Sequence, residues 1–136
     1  MPFVIDNSVV CGWFIENQAS AYNEAIAERL QDDRAHAPGV WELELANVLR
    51  TACLKQRMNA EQAQGVLAQI ATLPIDVDRQ GATPAALLAL ALRFALSSYD
   101  AAYLELALRL QLPLATTDAA LREAALTSGV GLVDAG

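Results

Sequence analysis

Short apolar runs punctuate this chain at intervals long enough for one or two helices. Residues 2–5, 35–37, 74–77 and 114–116 each read as a buried strand, and 131–133 as a last short one. Helical patterns fill the spaces between them. Strands that alternate with helices build an α/β fold, here a short, mostly parallel central sheet with helices on both faces, an α/β/α arrangement. The length of 136 residues suits one domain over residues 1–136. Apolar residues make up 54% of the chain, enough for a full core.

Local signals place the helices. Asn7-Ser8 supply cap chemistry for a helix through about Phe14. Further helices are expected over residues 20–31, 40–56, 60–73 (capped by Asn59), 84–96 (Pro84 at the first helical position), 99–110 (capped by Ser97-Ser98) and 119–127. The longest unbroken apolar run, 85–92, has eight residues. A membrane-spanning helix needs about 20. With no basic, apolar leader at its start, the chain is expected to be cytoplasmic, with no membrane contact.

The chemistry available is narrow. His36 is the only histidine, and the two cysteines, Cys11 and Cys53, lie far apart with no CxxC pairing. HExxH and glycine-rich phosphate loops are absent. The net charge of −7 disfavours non-specific nucleic-acid binding unless a basic patch or a bound cation intervenes. An enzyme built from these residues would depend on carboxylates.

In a parallel sheet, functional residues gather beyond the carboxyl ends of the strands. That rule selects Asp6, at the end of the first strand, and Asp118, just after Leu114-Ala115-Thr116. Either also suits a helix N-cap. Asp100 falls at the centre of an apolar helical stripe, with Leu104, Tyr103 and Ala107 within about 60° of it at 100° per residue. An inward carboxylate is costly unless paired, hydrogen-bonded or metal-bound. No Lys or Arg shares its face at short spacing, although first-turn amides offer a plainer partner. Glu42 and Glu44 lie about 200° apart on one helix, and periodicity does not choose between them. Asn47 favours Glu44, because at i+3 its amide shares that face and would orient the carboxylate.

Together these segments resemble the PIN-domain ribonucleases, most closely the VapC toxins of VapBC toxin–antitoxin pairs. Val4-Ile5-Asp6-Asn7-Ser8 is similar to the opening Asp-x-Ser of that family, and Glu44-Leu45-Ala46-Asn47 to its Glu-x-x-Asn helix. Ser98-Tyr99-Asp100-Ala101-Ala102-Tyr103 resembles its most recognisable stretch, and Thr116-Thr117-Asp118 its Thr-x-Asp. Asn7 stands where a small residue is common, and Glu105 where Ala is common, adding a surface acid. The resemblance implies a pocket of Asp6, Glu44, Asp100 and Asp118, supported by Ser8, Asn47 and Thr116, that holds Mg²⁺ or Mn²⁺. All-oxygen ligands suit such hard cations. It implies a metal-dependent endoribonuclease acting on RNA, a homodimer, and a VapB-like antitoxin that inhibits it. Arg50, Lys55 and Arg57 would then contact the RNA backbone, or serve as ordinary cations near a helix C-terminus. A stand-alone PIN nuclease of RNA processing and a non-catalytic PIN-like interaction module are the alternatives.

An inward Asp100 among other acids weakens the metal-free fold. Asp100→Asn is therefore expected to abolish cleavage while raising metal-free stability by roughly 0.5–2 kcal/mol. It should also shrink the stabilisation gained from Mn²⁺. Thermal melts in EDTA and in saturating Mn²⁺ check both, and a mutant less stable than the native chain in EDTA would mark Asp100 as a structural helix-start residue.

Overall fold

The computed structural model describes residues 1–15 and 20–134. Strand β1 (Phe3–Ile5) lies between β2 (Ala35–Pro38) and β4 (Leu114–Ala115), and β3 (Ile75–Asp78) lies outside β2. All three pairings are parallel, with Val4 opposite His36 on one side and Leu114 on the other. With both edges paired and both faces covered, Phe3, Val4 and Ile5 are fully buried. This is why β1 reads as a continuous apolar run and not as an alternation.

Seven helices connect and cover the sheet among the described residues: α1 (Asn7–Phe14), α2 (Ala21–Arg29), α3 (Val40–Leu54), α4 (Ala60–Ile70), α5 (Pro84–Phe94), α6 (Ser98–Leu110) and α7 (Ala119–Ser128). Their starts follow the sequence signals. Ser20, Thr83 and Ser97 accept hydrogen bonds from the amides of Asn23, Ala86 and Asp100, and Asn59 forms a reciprocal capping box with Gln62. Helix α6 packs on β1 and β2 and buries Ala101, Tyr103, Leu104, Leu106 and Ala107. Helix α5 lies against α6, buries no residue fully, and leaves Leu88 and Leu92 exposed.

Several expectations need correction at the margins. Asn7 is the first residue of α1, and Asp6 occupies the N-cap position without making a side-chain cap bond. Helix α3 ends at Leu54 and α4 at Ile70, both short of the expected bounds. The strand expected over 131–133 shrinks to a single parallel bridge between Leu114 and Leu132. Glu105 is not a free surface acid: Arg109 joins it to Asp78, with Nε 2.7 Å from Glu105 Oε1 and Nη2 2.8 Å from Asp78 Oδ2. That clamp ties α6 to the end of β3. No single helix among the described residues is long and apolar enough to cross a membrane.

The order of the strands determines where chemistry can occur. From β1 the chain moves outward through β2 and β3, then returns through α5 and α6 to β4 on the opposite side of β1. The reversal leaves a crevice beyond the carboxyl ends of β1 and β4, the usual ligand position in open parallel sheets. Asp6 and Asp118 stand at its two sides.

Candidate active site

Asp6 continues the ladder by one residue, its amide donating to the Ala115 carbonyl at 2.9 Å. The residue is 5% exposed. Two hydroxyls, Ser8 Oγ and Thr116 Oγ1, donate to the same carboxylate oxygen, Oδ2, each at 2.7 Å. Ser8 Oγ also accepts from the Thr117 amide, and Thr116 Oγ1 from the Asp118 amide. The β1–α1 and β4–α7 turns are thus joined through one carboxylate. Ser8 and Thr116 play this part together, and neither is free to cap a helix.

Asp118 caps α7 by accepting from the Leu121 amide through Oδ2 at 2.9 Å. The residue is exposed, so capping commits one carboxylate oxygen and leaves the other open to solvent. Asp100 lies in the first turn of α6, where the Ser97 hydroxyl takes the amide bond that its own carboxylate would otherwise compete for. Glu44 projects from α3, half buried, and its Oε1 accepts from the hydroxyl of Tyr103 at 2.7 Å. Glu42, on the other flank of α3, is bound by the guanidinium of Arg79 and lies near the surface.

The electrostatics show which acids lie near one another. Burial raises the Asp6 carboxyl above its ordinary range, the Ser8 and Thr116 hydroxyls oppose that, and the charge of Asp118 adds to it. Burial likewise raises Glu44, with further upward pressure from Asp6 and Asp100. Asp100 is raised by burial and then by Asp6 and Asp118. Asp6 and Asp100 thus act on Glu44, and Asp118 acts on Asp6 and Asp100, while no Lys or Arg is among the groups that act on these three. Acids elsewhere are treated differently: Glu42, Asp76 and Asp78 are held low by bonds from Arg79, Arg34 and Arg109.

Two side chains were not singled out for the site by sequence reasoning. Tyr103 is fully buried and supplies the hydrogen bond to Glu44 that was expected of Asn47. Asn47 instead lies exposed on the rim of a groove of about 500 Å³, lined by Val40, Leu43, Glu44, Asn47 and Tyr99. The available signal was that a buried tyrosine hydroxyl needs a partner. Arg122 donates to the Thr116 carbonyl at 2.8 Å and stacks over the Tyr22 ring, which buttresses the β4–α7 turn from behind.

The residue types suit a hard divalent cation: four carboxylates with no nitrogen or sulfur donor, and, among the described residues, no Lys or Arg acts on Asp6, Glu44 or Asp100 to relieve the repulsion they feel. Among the described residues, no three such side chains lie close enough together to hold one metal ion.

Comparison with known proteins agrees with the geometry. The model of the PIN domain family matches residues 3–126. The solved structure of PAE2754 from Pyrobaculum aerophilum superposes with a TM-score of 0.63 at 16% sequence identity, covering 91% of this chain and 84% of that one. At that identity the likeness concerns the fold alone. No curated protein matches the sequence.

The raised carboxyls set a pH dependence. Between the ordinary carboxylate range, near 4, and their raised folded-state values, Asp6, Glu44 and Asp100 bind protons in the folded chain that the unfolded chain has lost. Stability contributed by these groups therefore rises as pH falls through that window. Asp76, Asp78 and Glu42 have lowered values, and their contribution is lost only as pH falls below the ordinary range. The metal-free protein is expected to melt at a higher temperature at about pH 5 than at pH 7, with a decline below about pH 3.5. Saturating Mg²⁺ should remove the gain at pH 5. Melts across this range check the expectation, and a steady fall from pH 7 to pH 5 without metal would contradict it.

Proposed function

This chain belongs to the PIN domain family, and from that premise we propose that it is a Mg²⁺- or Mn²⁺-dependent endoribonuclease acting in the cytoplasm as the toxin of a VapBC-type pair. PIN domains are generally nucleases. One observation supports the reading: burial raises the carboxyls of Asp6, Glu44 and Asp100, and the neighbouring charges that act on them are those of Asp6, Asp100 and Asp118, with no Lys or Arg among them.

Asp6, Glu44, Asp100 and Asp118 would hold the ion. When bound, it supplies positive charge to phosphate oxygens and lowers the pKa of a water molecule. The remaining work belongs to the protein. Ser8 and Thr116 fix Asp6 through Oδ2, and the Leu121 amide fixes Asp118 through Oδ2. Asp6 and Asp118 are thus oriented before a ligand arrives, which reduces the ordering required on binding. The groove beside Glu44 offers the exposed ring of Tyr99 and the amide of Asn47 to a single-stranded RNA, which such proteins recognise by stacking and hydrogen bonding. Arg50, Lys55 and Arg57 are exposed on or just beyond the helix that carries Glu44, within reach of a phosphate backbone.

The partners follow from the same surfaces. An acidic crevice suits an Arg or Lys inserted by a VapB-like antitoxin. Leu43 and Leu54 on α3 and Leu88 and Leu92 on α5 are more than half exposed, and a homodimer would cover such apolar side chains.

The purified chain is expected to cut single-stranded RNA in Mg²⁺ or Mn²⁺ and to stop in EDTA. Glu44→Gln should slow cleavage about 100-fold or more, whereas Glu42→Gln should leave it close to native. Cleavage that persists in EDTA would exclude the metal mechanism. Cleavage without an inhibitory partner encoded beside it would point to a stand-alone nuclease, and binding of RNA without cleavage to an interaction module.

A further inference from the structure

Tyr103 sits one helical turn beyond Asp100 on α6, fully buried, with its hydroxyl 2.7 Å from Glu44 Oε1. It reaches across 59 positions of sequence to a side chain on α3. A phenol in a core normally finds a backbone carbonyl or a water, and a carboxylate acceptor makes a stronger, charge-assisted bond. The bond directs the carboxylate inward, since Tyr103 is part of the core while Glu44 is only half buried. Without it, a Glu with three rotatable bonds on the rim of an open groove would turn toward water, away from the repulsion of Asp6 and Asp100.

The same logic recurs at two of the other acids. Asp6 is fixed through Oδ2 by Ser8 and Thr116, and Asp118 through Oδ2 by the Leu121 amide. We infer that Tyr103 is the positioning residue for Glu44: its hydroxyl holds Oε1 so that Oε2 is presented to a divalent cation as a single-oxygen ligand. Helix α6 then supplies both an acid of its own, Asp100, and the donor that orients the acid of α3. A shift of α6 along the sheet would displace both together.

This inference rests on the metal-dependent reading above, and the test separates the two. Tyr103→Phe removes one oxygen and keeps the ring that fills the core. Calorimetric titration of the native chain, Y103F, E44Q and the double variant with Mn²⁺ gives a complete cycle. The expected result is a loss of Mn²⁺ affinity in Y103F of about 10–100-fold, as for other groups that orient metal-ligating side chains. In the E44Q background the same substitution should cause almost no further loss. RNA cleavage by Y103F should fall with the Mn²⁺ affinity and recover in part at high Mn²⁺ concentration. A merely structural tyrosine would lower the melting temperature but leave Mn²⁺ affinity unchanged, or lower it equally in both backgrounds; either result overturns the inference.

A second measurement needs no change at position 103. The ring resonances of Tyr103 should shift on titrating the native chain with diamagnetic Mg²⁺ and stay in place in E44Q. A native spectrum that does not move, in a chain that binds Mg²⁺ and cleaves RNA, would overturn the role of Tyr103 alone. A native chain that neither binds the ions nor cleaves would overturn both readings.

Discussion

One carboxylate oxygen, Asp6 Oδ2, holds the two halves of the crevice together. The hydroxyls of Ser8 and Thr116 converge on it at 2.7 Å from turns that are far apart in sequence. Each hydroxyl also accepts a backbone amide, from Thr117 and Asp118, so both hydroxyls donate and accept at once. A buried charge survives in such a place only when it is hydrogen-bonded. Because β1 and β4 are adjacent and parallel, this arrangement is possible only at their carboxyl ends. The remaining site geometry follows from it: Asp118 is carried into position by the turn that Thr116 anchors, and α6 packs beneath with Asp100 and Tyr103.

The distribution of charge separates structure from site. Three arginines are spent on acids away from Asp6: Arg34 on Asp76, Arg79 on Glu42, and Arg109 on Asp78 and Glu105. Arg122 donates to the Thr116 carbonyl and lies over the Tyr22 ring. Asp6, Glu44 and Asp100 are left with hydroxyl partners or one another. Such an arrangement costs stability at neutral pH, and titratable groups perturbed in this way cluster at functional sites.

Much of this was legible in the sequence because the local signals agreed. The caps at Asn59 and Ser97 and the proline at 84 marked where three helices begin, and the apolar run of β1 marked a buried strand. The rule that function gathers at the carboxyl ends of parallel strands placed Asp6 and Asp118 at one crevice. Helix ends were less legible, since nothing in the sequence forces a stop at Leu54 or Ile70. The segment after Gly131 is apolar enough for a strand, yet it meets β4 at only one bridge. Periodicity gave the direction of Asp100 and Tyr103 but not what Tyr103 meets. Glu44 was favoured through its near neighbour Asn47, whereas the partner it has comes from another helix. Helical spacing encodes contacts within an element, and contacts between elements appear only once the fold is assembled.

If the chain works as proposed, the four carboxylates share one divalent cation. Crystals grown with Mn²⁺ and measured at a wavelength where manganese scatters anomalously test it most directly. The expected result is an anomalous peak enclosed by Asp6, Glu44, Asp100 and Asp118, with Glu44 ligating through the oxygen that Tyr103 does not hold. A peak elsewhere on the molecule, or the crevice filled by an arginine or lysine of the same chain in place of the ion, would contradict it.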